Sequence, residues 1–287
     1  MSYQRILIVG LGLIGGSLLK RARTCFPKAH LIGITRNQSV LDEASVSGLL
    51  DEAYTQESFL ASASHRVDLV FVATPISTVV ETIHILSKAI ESKCLFVDLS
   101  STKEGIHQGV TLEKATHDFV GGHPLAGSHN QGFGASTVDL FKGAKMVLTG
   151  GSQDSKKALS VWFEALGMQV LLMDPKEHDK LLSISSHIPY FMSLLCLAPV
   201  DSLDESAKEQ LKSVLASGFK DTTRIAASDP NWALDLCEHN QEAILAGLER
   251  IKTVLEQLTE AISCGDSVAI SSLIDVLRST KQDLDSK

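Results

Sequence analysis

Ile6-Leu7-Ile8-Val9-Gly10-Leu11-Gly12-Leu13-Ile14-Gly15-Gly16-Ser17-Leu18 decides the fold. An apolar run ends in a GxGxxG turn, and a helical pattern begins at once. In such a strand–turn–helix unit Gly10 permits the tight turn, Gly12 lets a pyrophosphate approach the backbone, and Gly15 lets the helix pack closely on the strand. The free amides of the helix start then face the phosphates. GxGxxG alone is weak; following an apolar strand, with a second strand at the right distance, it becomes specific. Leu13 and Ile14 join the three glycines as expected cofactor contacts, as do Thr74 and Pro75 after the strand Val67–Val72. The bland alternative is a glycine turn in a sheet without a ligand.

The second strand ends in Gly33-Ile34-Thr35-Arg36. An NAD site usually places Asp or Glu about 20 residues beyond the glycine turn, on the ribose 2′-hydroxyl. Thr35 stands there instead, followed by Arg36. No carboxylate repels a 2′-phosphate, and a guanidinium can pair with one. The pattern favours NADP; if Arg36 is only a solvated surface residue, NAD binds without its acidic anchor.

Outward from this turn, short apolar strands alternate with helical stretches. Arg5–Val9, Leu31–Ile34, Val67–Val72, Cys94–Asp98, Phe119–Val120, Lys145–Leu148 and Gln169–Leu172 read as strands, with helical patterns such as Ile14–Cys25, Ile76–Glu91 and Ser155–Leu166 between them. Strands apolar at consecutive positions are covered on both faces. The expected α/β fold is a Rossmann-type, doubly wound, mainly parallel sheet over residues 1–172.

Beyond Met173 the strands stop. Asp174-Pro175-Lys176-Glu177 reads as a helix start, with Asp174 as N-cap and Pro175 in the first turn, and Asp229-Pro230 reads as another. Ile244, Leu248, Ile251, Leu255, Leu258 and Ile262 recur at alternating spacings of four and three, up to a stop at Gly265. Such a seam is either an intramolecular bundle core or a subunit interface. A small helical domain cannot bury so much apolar surface alone, which favours the interface. Residues 173–287 are thus expected as an all-helical dimerisation domain, and the protein as a homodimer.

The 287 residues are 44% hydrophobic and 21% charged, a globular composition. A net charge of -8 argues against nucleic acid as partner, though not against a small anion. Cys25, Cys94, Cys196, Cys237 and Cys264 are scattered with no CxxC pair, which suggests reduced thiols and no metal. The start has no signal-peptide layout, and the early apolar run Ile6–Leu19 is too short for a bilayer. A cytoplasmic, soluble protein is expected, with no membrane partner.

Four polar segments carry the chemistry. Asp98-Leu99-Ser100-Ser101-Thr102-Lys103 follows a strand at the carboxyl edge, where doubly wound sheets bind ligands. Gly121-Gly122-His123-Pro124-Leu125-Ala126-Gly127-Ser128 reads as a loop presenting one imidazole, whose ordinary pKa near ~6.5 suits proton transfer. Ser185-Ser186-His187-Ile188-Pro189-Tyr190 places a proline inside a helical pattern, and Gly218-Phe219-Lys220-Asp221-Thr222-Thr223-Arg224 supplies a cationic turn. Structural readings compete at each. Ser101 can cap a helix starting near Lys103, Lys103 reads as a solvated charge, and His187 can be a satisfied core histidine. Arg224 can pair with Asp221, and His178, beside Asp179, reads as a capping or interdomain residue.

Together the DxxSxK segment, GGHPxAGS, SHxP and GFxDxTR resemble the prephenate/arogenate dehydrogenase family of tyrosine biosynthesis. The resemblance runs from the glycine turn to about Asn240. It implies a Rossmann-type domain joined to a helical dimerisation and substrate domain, residues 173–287, with the active site between them. It also implies oxidative decarboxylation of a cyclohexadienyl acid with hydride transfer to NAD(P). His123 matches the histidine on the substrate 4-hydroxyl, Ser101 the serine orienting it, and Arg224 the arginine on the ring carboxylate. His187, Ser128, Tyr190 and His129 complete the implied substrate contacts. Two positions depart from the pattern: Tyr190 replaces a second histidine and His129 replaces a glutamate, so the choice between prephenate and arogenate stays open. A β-hydroxyacid dehydrogenase-type reductase would more naturally use a helical-domain lysine. An inactive NADP-binding sensor would not need His123, Ser101 and Arg224 together.

Overall fold

A computed structural model describes residues 3–62, 65–127 and 130–286. Within these residues the strands are β1 (Arg5–Val9), β2 (His30–Ile34), β3 (Glu52–Tyr54), β4 (Leu69–Val72), β5 (Leu95–Asp98), β6 (Asp118–Leu125), β7 (Lys145–Thr149) and β8 (Gln169–Met173). They form one sheet in the order 3-2-1-4-5-6-7-8, parallel throughout except for the antiparallel β6–β7 pair. The helices among the strands are α1 (Leu13–Cys25), α2 (Gln38–Val46), α3 (Gln56–Ala61), α4 (Ile76–Ala89), α5 (Glu104–Gly109) and α6 (Gln153–Ala165). Those that follow are α7 (Pro175–Leu182), α8 (Ile188–Leu195), α9 (Ala198–Asp201), α10 (Glu205–Val214), α11 (Ser217–Thr223), α12 (Pro230–His239), α13 (Gln241–Cys264) and α14 (Ser267–Asp285).

The apolar strands are buried because helices cover both faces. Ile6 and Ile8 share a core with Leu18 and Leu19 of α1 and Trp162 and Phe163 of α6. Leu7 and Val9, pointing the opposite way, share one with Val79, Ile83 and Leu86 of α4. β3 is three residues with no fully buried position, too short to leave a periodic signal.

The segment expected as a loop after Val120 is strand. β6 continues through Gly121, Gly122, His123 and Pro124 to Leu125, paired with β7. Close approach explains the glycines: a Cβ at Gly121 would lie 2.4 Å from Thr149 Oγ1, and one at Gly122 would lie 2.9 Å from the Asp98 carbonyl oxygen. Pro124 is tolerated because β5 stops pairing at Gly121, leaving that side of β6 with no ladder bond to lose.

Asp174 caps α7 through Lys176 N and Glu177 N, with Pro175 in the first turn, as its sequence suggests. The proline at 189 is met by a π turn, Ser183–His187, in which Ile188 N donates to Ser183 O. The continuous run Pro175–Asp201 is long and apolar enough by length and composition to cross a membrane, yet His178, Asp179 and His187 are buried along it. Gly265, at φ +67°, terminates α13, and Asp266 caps α14. Along the α13 seam Ile244 is buried, but Leu255 and Ile262 are 59% and 60% exposed. Beside them α14 exposes Ile274 and Leu277, so one chain leaves this apolar face uncovered.

Candidate active site

The glycine turn has the sterics its spacing suggests. Gly10 sits at φ +88° and donates its amide to Ile34 O at 2.8 Å. A Cβ on Gly10 would approach Ala73 O to 2.6 Å, and one on Gly15 would approach Gly10 O to 2.0 Å. At Gly12 a Cβ would meet nothing within 4 Å, so the backbone there faces open space. That space is a cleft of about 430 Å³ lined by Gly10, Gly12, Thr35, Arg36, Thr74 and Pro75, among others, at the carboxyl ends of β1, β2 and β4.

Among the described residues no side chain caps α1, so its first amides remain available to a ligand. Leu13 and Ile14 form that first turn; Ile14 packs on the core, so the turn offers backbone donors. Thr74 Oγ1 is buried with no partner among the described residues. Arg36 is exposed and makes no ion pair among them. Open backbone, free amides, an orphan hydroxyl and a free guanidinium fit a dinucleotide phosphate chain.

Farther along the same sheet edge, β6 carries His123. Its Nδ1 lies 2.9 Å from Nε2 of His178 on α7, and His178 Nδ1 lies 2.7 Å from Asp179 Oδ1. Asp179 accepts the Lys103 amide at 2.8 and 3.0 Å and the Glu104 amide at 2.8 Å, thereby capping α5. Successive positions on α7 aim one side chain at β6 and the next at the start of α5. Asn240 ties in the next layer: its amide donates to Asp179 O at 2.8 Å and to His187 Nδ1 at 3.1 Å. His187 Nε2 is buried without a partner among the described residues.

Burial pushes the His123 pKa well below the ordinary histidine value, and nearby His178, Lys103 and His187 push it further. His187 is lowered to about 4, chiefly by burial, against the opposing pull of Asp179. Both rings are therefore neutral at neutral pH. Half-buried His123 retains some contact with solvent.

Several expectations change. Lys103 is not a solvated charge: it is fully buried and paired with Asp98, whose Oδ1 also accepts the Ser100 amide at 3.0 Å. Burial lowers its pKa, while Asp98 opposes that shift. Ser101 does not cap α5, because Lys103 is the N-cap residue and Asp179 supplies the acceptor. Half-buried Ser101 makes no hydrogen bond among the described residues. His178 is not a cap either, since Asp174 caps α7; its contact is between the sheet and helical parts.

Arg224 is exposed at the start of a 3-10 turn, Arg224–Ala227, and makes no ion pair with Asp221. That turn packs against α8, the helix following His187. Tyr190 is a buried packing ring, edge-on to Trp232 at 5.2 Å and to Phe191 at 5.3 Å. Ser128 and His129 lie outside the described residues. Asp179 and Asn240 escape a reading of the sequence as site residues. An adjacent His-Asp pair near a helix start looks like a cap, and its real partners are remote in sequence.

Known proteins match both parts. The profile of the prephenate dehydrogenase nucleotide-binding domain matches residues 18–169, and that of the prephenate dehydrogenase dimerization domain matches 174–279. The prephenate dehydrogenase of Lactococcus lactis is 32% identical over 284 residues, covering 97% of this chain and 77% of that protein. The A. aeolicus prephenate dehydrogenase, solved with hydroxyphenyl propionate and NAD+, superposes with a TM-score of 0.86 at 27% identity, over 99% of each chain. Synechocystis arogenate dehydrogenase gives 0.79 at 28% identity, over 98% of this chain and 99% of that one. With both halves matched in order, the chain belongs to the prephenate dehydrogenase family.

Proposed function

We propose that this protein oxidatively decarboxylates prephenate or arogenate, with His123 as the base and NADP+ preferred over NAD+. The observation that carries this reading is the neutral His123 ring, held from behind by His178 on the sheet edge that bears the dinucleotide cleft. Bound NAD(P)+ supplies the acceptor for the hydride that leaves ring C4. His123 takes the proton of the 4-hydroxyl, while the C–CO2 bond breaks and its electron pair completes the aromatic ring. Aromatisation drives the step, so the protein's task is positioning and a base of suitable pKa.

Three side chains support that task. Because Asn240 donates to His187 Nδ1, the ring hydrogen of His187 is on Nε2, a buried donor with no partner among the described residues. It suits a carboxylate or keto oxygen of the substrate side chain. Ser101, free of competing bonds among the described residues, orients the 4-hydroxyl. Arg224 grips the ring carboxylate by two points, which lysine would not reproduce. The uncovered faces of α13 and α14 meet those of a second copy in a homodimer.

The test is purified protein with prephenate or arogenate and either cofactor, followed by reduced-nicotinamide absorbance and by identification of the aromatic product. Turnover faster with NADP+, and lost in His123→Asn with cofactor affinity kept, is expected. No turnover of either acid, or full activity in His123→Asn, would overturn the reading.

A further inference from the structure

We infer that Asp179 sets the tautomer of His123 through His178, so that the base presents an unprotonated Nε2. The catalytic meaning of that tautomer rests on the proposed role of His123, but the tautomer can be observed by itself.

Both Asp179 oxygens are taken up as acceptors by the Lys103 and Glu104 amides, and Oδ1 also faces His178 Nδ1 at 2.7 Å. An ionised carboxylate only accepts, so the hydrogen in that last contact is on His178 Nδ1. Taken as neutral, His178 has that one ring hydrogen, which leaves its Nε2 as a lone pair. His123 Nδ1, 2.9 Å away, must then donate to it. A neutral His123 with its hydrogen on Nδ1 has its lone pair on Nε2. A proton arriving there creates an imidazolium whose Nδ1–H already points at His178, with the Asp179 charge behind it.

The same carboxylate closes α5, three residues after Ser101. One helical-domain side chain therefore fixes both the tautomer of the base on β6 and the backbone that follows Ser101. His178 and Asp179 are positioning residues acting through His123. Docking of α7 on the sheet completes the base.

The test uses the full-length protein with 15N-labelled histidine, read by long-range 15N–1H NMR at neutral pH, with the His123 ring assigned by its loss in His123→Asn. Wild type should show His123 protonated at Nδ1. In Asp179→Asn the Lys103 and Glu104 amides claim the amide oxygen and turn its NH2 toward His178. That reverses both rings and moves the His123 hydrogen to Nε2. The same variant should lose about a hundredfold or more in kcat with little change in cofactor affinity. A wild-type His123 protonated at Nε2, or a doubly protonated His178, would overturn the inference even if Asp179→Asn failed to fold. An unchanged His123 tautomer in a folded Asp179→Asn would do the same. These spectra need no turnover, so they would still decide the tautomer if the proposed reaction failed.

Discussion

The Lys103 ammonium and the Asp98 carboxylate form an ion pair in which neither side chain is exposed to solvent. Asp98 leaves β5 at the carboxyl edge, and Lys103 returns to it five residues later, immediately before α5. Within the pair Asp98 Oδ2 has no partner among the described residues, so its compensation is incomplete. Removing one charge from such a pair costs about 3–5 kcal/mol, whereas removing both is often nearly neutral. Lys103→Met should therefore lower the urea-unfolding free energy by that amount, and Asp98→Asn with Lys103→Met should recover much of it. Additive losses in the double variant would contradict a paired role.

How much of this was legible depends on how local each constraint is. Gly10, held at φ +88°, and Gly15, crowded by Gly10 O, answer to constraints inside their own turn, so spacing reveals them even though Ala73 also presses on Gly10. Gly121 and Gly122 are small because Thr149 and Asp98 crowd them from other strands, and a composition reading therefore mistakes a strand for a loop. His178 meets a ring 55 residues away, and Asp179 caps a helix 75 to 76 residues upstream. No periodicity reports such pairings. Lys103 is charged, and charge is normally a surface signal; only the enclosing strands show otherwise.

The depressed His123 pKa has a consequence for rate. As the proposed base, a ring whose pKa lies well below 6.5 keeps its lone pair through the ordinary histidine range. The acid limb of kcat/KM, which reports the free enzyme, should therefore fall below that range. Lys103 contributes to the depression, so Lys103→Met should move the limb to higher pH. A limb at or above the ordinary value in wild type would contradict the half-buried, neutral ring.

His187 links pH to stability. Its pKa is about 4 when folded against an ordinary 6.5, so between these values the unfolded chain holds a proton that the folded chain does not. Its contribution is complete above pH 6.5, declines as pH falls through the window, and is exhausted near 4. The total is of order 3 kcal/mol. Denaturation curves at intervals from about pH 7 to about pH 4.5 should show wild type losing stability more steeply than His187→Gln. Parallel curves would place the titrating group elsewhere.

Arg36 should decide cofactor preference. It lines the dinucleotide cleft, is exposed, and spends its charge on no ion pair among the described residues. A guanidinium–phosphate contact is worth about 1.5–3 kcal/mol, roughly ten- to a hundredfold in affinity. Arg36→Ala should weaken NADP+ by that factor in a fluorescence titration and leave NAD+ nearly unchanged. Equal losses for both cofactors would mean that Arg36 touches a part they share.

The α13 seam should hold two chains together. Leu255 and Ile262 continue the same stripe as buried Ile244, yet they are more than half exposed in one chain, beside exposed Ile274 and Leu277 of α14. Neither seam position is needed to fill the chain's own core, so charges placed there should not unfold it. Against a second copy the same charges would be buried without partners, which costs several kcal/mol per group. Wild type should therefore sediment as a dimer and Leu255→Glu with Ile262→Glu as a monomer, while the far-UV circular dichroism of the variant stays helical. Substitutions of the same kind on the sheet domain, at exposed Val46 and Val161, should leave the mass unchanged. A dimer that survived the seam variant and broke with the Val46 or Val161 variant would move the interface to the sheet domain.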